Sequence, residues 1–205
     1  MGMLQGCRAA IQQGGAKALV KLPGNLGYAP AADLLRVLGE GDSAVARRPQ
    51  IEIPEMIDNP RLPFRVMKGV VTGRQIAQLV EAGYEIRGYN DNKLKDVIAD
   101  ESNAGKGIGY ISLLDGRALA KELNRQNPGR KFRVPTDKEL KKLNRLVEDQ
   151  ISGFDYFWIW TETKYDNKTF VVRFLDQSLS EGDARQNKAP DYRECGGAVC
   201  LVEDR

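Results

Sequence analysis

The segment Arg133-Val134-Pro135-Thr136-Asp137-Lys138-Glu139-Leu140 constrains the chain most, because a strand-like stub and a proline run straight into Thr-x-x-Glu ahead of an apolar stripe. A threonine at a helix N-cap accepts a bond from the backbone N–H three residues on, and a glutamate there reaches back to the cap's own N–H. Two donors that a helix start leaves orphaned are thereby satisfied. Leu140, Leu143, Leu146 and Val147 follow at helical spacing. The device recurs twice upstream: Thr72-Gly73-Arg74-Gln75 precedes Ile76, Leu79 and Val80, and Ser112-Leu113-Leu114-Asp115 precedes Ala118, Leu119 and Leu123. Local chemistry alone marks three helix starts.

Around these helices the pattern alternates with strands. Phe64 to Val71 reads as a strand running into the first capped helix, which Gly83 ends by taking a left-handed conformation at no steric cost. Tyr84 to Gly109 is polar and irregular and is expected at the surface, with a short helix at Leu94 to Ile98. The second capped helix runs to about Gln126 and stops at Asn127-Pro128-Gly129. Beyond Gly153, Trp158 to Thr161, Thr169 to Phe174 and Ala198 to Val202 are β-rich, and Tyr165-Asp166-Asn167-Lys168 suits a hairpin turn. Tyr156, Phe157, Trp158 and Trp160 suit stacking on a sugar, but alternate positions on a strand more often put at least one tryptophan into the core, and core packing is the expectation here. Helices that precede a terminal sheet predict an α+β domain with a mixed or antiparallel sheet and flanking helices, not a doubly wound parallel one. Residues 1–60 differ in texture: Gly14-Gly15, Pro23-Gly24, Pro30 and Pro49 punctuate them, a helical stripe spans Ala31 to Leu38, and Arg47 to Pro54 looks like extended linker. The predicted organisation is an extension or assembly arm over 1–60 and one domain over 61–205.

The chain has no histidine, which removes Ser-His-Asp and Cys-His hydrolases and His-liganded metal sites. Thirty-one basic and 28 acidic residues are interspersed, so the net charge of +3 does not imply a nucleic-acid partner. The cluster Arg125, Arg130, Lys131, Arg133, Lys138, Lys141, Lys142 reads as a solvated helix end. No apolar run approaches the roughly 18 residues that cross a bilayer, and the start lacks the basic and apolar regions of a secretory signal. No membrane partner is expected, and the cytoplasm is the default location. Cys7, Cys195 and Cys200 are an odd count that argues against a disulfide framework. On a strand from Ala198, Cys200 faces away from Val199 and Leu201, as a packed thiol does.

Four pieces, Phe64 to Thr72, Tyr110 to Leu123, Arg133-Val134-Pro135-Thr136 with Glu139, and Trp158 to Thr161, occur in an order that resembles the sulfatase-modifying-factor family, that of the formylglycine-generating enzyme. The second resembles the family's Val-Ser-Trp helix, the third its Arg-Leu-Pro-Thr-x-x-Glu and the fourth its Trp-Glu-Trp-Thr. The resemblance covers about residues 62–204 and implies a variant of the C-type lectin fold. It departs at two turns, with Arg173-Phe174-Leu175 in place of Arg-Gly-Gly-Ser-Trp and Ala198-Val199-Cys200 in place of Gly-Phe-Arg. Cys200 aligns with the closing strand, so the family's copper–thiolate pair is not carried over to Cys195 and Cys200.

This implies a degenerate, non-catalytic member that binds a protein or glycan through the polar loop before the last strand, as retroelement-diversified variable proteins of this fold do. The candidate contacts are Asp183, Arg185, Gln186, Asn187, Lys188, Asp191, Tyr192 and Arg193, which combine donors, acceptors and one aromatic. Replacing Tyr192 and Arg193 by alanine is expected to remove binding with unfolding nearly unchanged. The alternatives are a copper- or thiol-dependent oxidase and a structural part of a phage or secretion assembly. No resident cofactor is expected. Calcium stays open through Asp155, Glu162 and Asp166, although a Glu-Pro-Asn motif is absent.

Overall fold

Each of the three capping signals starts a helix. In the computed structural model, which describes residues 19–21, 28–30, 49–146, 157–174 and 185–205, Thr72 caps α1 (Gly73–Glu81) and Ser112 caps α3 (Leu113–Gln126), both with reciprocal capping boxes. Thr136 precedes α4 (Asp137–Leu146): its Oγ1 accepts from Glu139 N at 3.3 Å, and its own N–H donates to Glu139 Oε2 at 2.7 Å. α1 ends as its glycine predicts. Gly83, at φ +101°, donates to Val80 O while Tyr84 donates to Leu79 O, so two terminal carbonyls are satisfied. The uncapped α2 (Asp91–Ala99) is longer than the sequence suggests and starts at Asn90 in the left-handed region.

Contacts divide the chain into residues 1–47 and 48–205. In the first unit, β1 (Leu19–Lys21) pairs antiparallel with β2 (Tyr28–Pro30). The expected helix at 31–38 lies outside the described residues, as do Val147, Asp155 and Asp183.

The second unit carries two four-stranded sheets. One is antiparallel, in the order β3 (Met56–Ile57), β4 (Phe64–Met67), β10 (Val202–Asp204), β5 (Lys131–Arg133). The other is mixed, in the order β8 (Arg185–Lys188), β7 (Phe170–Phe174), β6 (Trp158–Lys164), β9 (Gly197–Ala198), with β9 parallel to β6. The class is therefore α+β. The β6–β7 turn is closed by Asp166, whose carboxylate accepts the Lys168 and Thr169 N–H groups at 2.7 Å.

The core joins the apolar faces of α1, α3 and α4 to the sheets through Ile76, Leu79, Leu119, Leu123, Leu140, Leu143, Phe64, Val66 and Val202. Trp160 is the tryptophan in the core, at 2% exposure, and its indole N–H donates to Ile111 O at 2.8 Å. Gly116 lets α3 approach the C-terminal run, since a Cβ there would stand 2.8 Å from both Val199 methyls.

Three expectations need correction. The linker expected from Arg47 to Pro54 packs on the domain where it is described, since Ile51 is buried and its N–H donates to Gln126 Oε1; Met56–Ile57 then forms an edge strand, and contacts divide the chain between Arg47 and Arg48 and not at residue 60. Ala198 to Val202 is not one strand. Its ends belong to different sheets and residues 199–201 pass between them, buried on every side. Tyr84 to Gly109 is not merely surface, because Ile86, Leu94 and Ile108 enter the core. No helix among the described residues is long and apolar enough to cross a membrane.

Candidate functional site

The loop between β8 and β9 is held by a charge pair beneath it. Asp115 serves the capping box of α3, with its carboxylate accepting from Ser112 N at 2.8 Å and Ser112 Oγ at 2.7 Å. The same carboxylate takes two bonds from Arg193, Nε at 3.0 Å and Nη2 at 2.7 Å, and both side chains are 0% exposed. Tyr84 Oη donates to Asp115 at 2.8 Å. Burial, then the Asp115 charge, push the Tyr84 phenol above its usual value, so it stays a donor.

Arg193 also fixes a second loop. Its Nη1 donates to Arg87 O at 2.8 Å, and its backbone oxygen accepts from Asn90 Nδ2 at 2.9 Å. Gly88, at φ +115°, makes room for this: a Cβ would lie 3.1 Å from both Arg193 Nη1 and Asp191 O. Leu114 N–H donates to Pro190 O at 3.1 Å, binding the loop to the start of α3.

The two loops present an aromatic pair. Tyr89 and Tyr192 stack with ring centroids 5.1 Å apart and planes 4° from parallel. Lys188 Nζ stands 4.7 Å from the Tyr192 centroid and 3.8 Å from Glu194 Oε2. Tyr89 is 57% exposed and Leu114 38%.

Of the residues expected to bind, Gln186, Asn187, Lys188, Asp191 and Tyr192 lie on β8 and the loop after it, at least partly exposed. Arg185 begins β8, paired with Arg173 of β7. Arg193 is withdrawn from the surface and positions the others, so its replacement by alanine cannot leave unfolding unchanged. The sequence reading named neither Tyr89 nor Leu114, which stand exposed beside this loop. Tyr89 sits in a stretch taken as irregular surface, and Leu114 is an apolar residue on the outward side of a predicted helix, which was a usable signal.

The remaining candidates have other duties. Glu162 forms a bidentate pair with Arg117, at 2.8 Å and 2.5 Å, and Asp166 closes its own turn. Among the described residues no group of three or more Cys, Asp or Glu side chains is placed to hold a metal. Cys195 is exposed, whereas Cys200 is buried with its Sγ 3.7 Å from Met67 O, and burial pushes its thiol far up, away from thiolate. Arg125, Arg130 and Arg133 of the basic cluster are paired with Glu122, Glu203 and Glu139. A separate cleft of about 510 Å³ between α1, β4 and residues 104–107 has a rim of opposed charges, Lys68 with Glu55 and Arg74 with Glu52.

No family model and no curated protein matches this sequence. Among solved structures, a chain described as the crystal structure of CarF is similar at TM-score 0.49 and 14% identity, over 76% of this chain and 95% of that one.

Proposed function

We propose that this protein is a non-catalytic recognition module, a C-type lectin-like scaffold similar to a degenerate sulfatase-modifying factor, that binds through the joined surface of the 84–90 and 189–196 loops. One observation carries the reading: a buried Arg193–Asp115 pair holds both loops while Tyr89 and Tyr192 stand outside it. Binding sites gain affinity when contact groups are ordered beforehand, since less freedom is lost on association. Tyrosine is suited to that role, offering a rigid apolar face and a polar tip at low entropic cost.

Retention from cell extract tests the surface. Material held by the immobilised wild-type chain is expected to be lost with Tyr89→Ala and Tyr192→Ala, while unfolding free energy falls by no more than about 1.5 kcal/mol, the worth of one aromatic pair. Equal retention by wild type and both variants refutes the proposal.

A further inference from the structure

The cleft between α1, β4 and residues 104–107 has walls made in part of bare backbone. Gly69, Gly105 and Gly107 all line it, and a glycine can present nothing but its main chain. Among the described residues the N–H and C=O groups of these three make no hydrogen bond. Main-chain donors and acceptors that a fold leaves unused are uncommon, and glycine is the residue that lets a ligand come close to them.

Both walls are fixed before anything binds. Gly73 N–H donates to Lys106 O at 3.2 Å and Arg74 N–H to Ala104 O at 2.9 Å, which ties the glycine loop to the start of α1. Across the cleft, Gln75 Nε2 donates to Glu52 O at 3.1 Å and Lys68 N–H to Glu55 O at 2.9 Å. Gly107 packs so tightly that a Cβ would stand 2.4 Å from Val70 Cγ2, whereas a Cβ on Gly105 would meet no atom within 4 Å.

Charge and lining narrow the ligand. At the rim Lys68 Nζ lies 2.9 Å from Glu55 and Arg74 lies 3.6 Å from Glu52, so neither an anion nor a cation finds a surplus of the opposite sign. Ile53, Pro54, Met67, Val70 and Phe157 supply apolar lining, and the volume of about 510 Å³ suits a small molecule or a short stretch of chain. The counterpart of a free peptide group is another amide, which offers a C=O to the N–H and an N–H to the C=O. We infer that this cleft binds an uncharged amide, held by the backbone of Gly69, Gly105 and Gly107, with an apolar substituent on the neighbouring side chains. Such an amide comes from an extended peptide or from a lactam ring. The site shares no residue with the 84–90 and 189–196 loops, so this inference and the recognition proposal fail separately.

The test is titration of the isotope-labelled full chain, followed through the amide signals of Gly69, Gly105 and Gly107. N-acetyl-valine methylamide stands for the peptide and pyridone for the lactam, with inorganic phosphate and ethylamine as charged controls. At least one amide is expected to move these signals saturably, and the tighter of the two names the source. Gly105→Trp adds bulk where the chain leaves room, and should lower that affinity about tenfold with the thermal midpoint unchanged. Phe157→Ala should lower it severalfold. If Gly105→Trp does not fold, Gly105→Ala takes its place and should weaken binding in the same direction. No saturable shift with either amide overturns the inference, as does an equal response to phosphate or ethylamine. Amide binding at wild-type affinity in the variants at both positions refutes the site.

Discussion

Replacing Arg193 by methionine isolates the worth of the buried pair, because the apolar length of the side chain survives while its charge and three donated bonds are lost. Asp115 then remains buried with Ser112 N, Ser112 Oγ and Tyr84 Oη as donors. Removing one partner of a buried pair costs about 3–5 kcal/mol, and those donors hold the value toward 3. For a unit of this size each kcal/mol moves the thermal midpoint by about 2–4 °C, so the midpoint should fall by about 6–12 °C. Urea unfolding of Arg193→Met, Asp115→Asn and the double variant checks the cause. The double variant should cost less than the sum of the singles by about 2 kcal/mol, since the second change removes a charge the first left stranded. Additivity within about 0.5 kcal/mol, or an Arg193→Met cost below about 1 kcal/mol, would refute the assignment of the pair as the anchor of the loops.

Gly109→Ala should be poorly tolerated, because a Cβ there would fall 1.8 Å from Cys195 O, a backbone atom with nowhere to go; a wild-type thermal midpoint would contradict this. In a Cys7→Ser background, Cys195 should react with a thiol reagent at once and Cys200 only on unfolding; two fast equivalents would overturn the burial argument. Because the folded Cys200 value is raised, the unfolded chain loses its proton first, and stability should fall as pH rises above about 9, less so in Cys200→Ala. The bonds from Arg130 hold the Glu203 carboxyl below its ordinary value of 4.5, and bonds from Arg133 and Thr136 outweigh burial to do the same for Glu139. Their stabilisation should be complete above that value and be lost as pH falls beneath it, with Glu203→Gln flattening the acid limb of the unfolding profile; an unaltered limb would contradict it.

The helices were legible because a capping box is written within four residues and needs no knowledge of the rest of the chain. Ile51 and Arg193 were not, because their partners, Gln126 and Asp115, lie 75 and 78 positions away. Pro49 and Pro54 therefore read as linker, and Arg193 read as one more polar loop residue. An uninterrupted apolar run such as Ala198 to Val202 reports burial on both sides but not which sheet each end joins. Lys188, Asp191 and Tyr192 share one segment and could be named together from the sequence, whereas Tyr89 is stacked on Tyr192 by the fold from about a hundred residues away.

Strand β10 lies between β4 and β5, so two segments synthesised much earlier become neighbours of a completed sheet only when residues 202–204 arrive. A nascent fragment ending before that strand presents two unsatisfied borders, and these are the edges on which chains pair with the wrong partner. Cotranslational assembly of this unit is consequently late, and a synthetic peptide spanning the run from 196 onward becomes a natural piece for fragment complementation of a truncated chain.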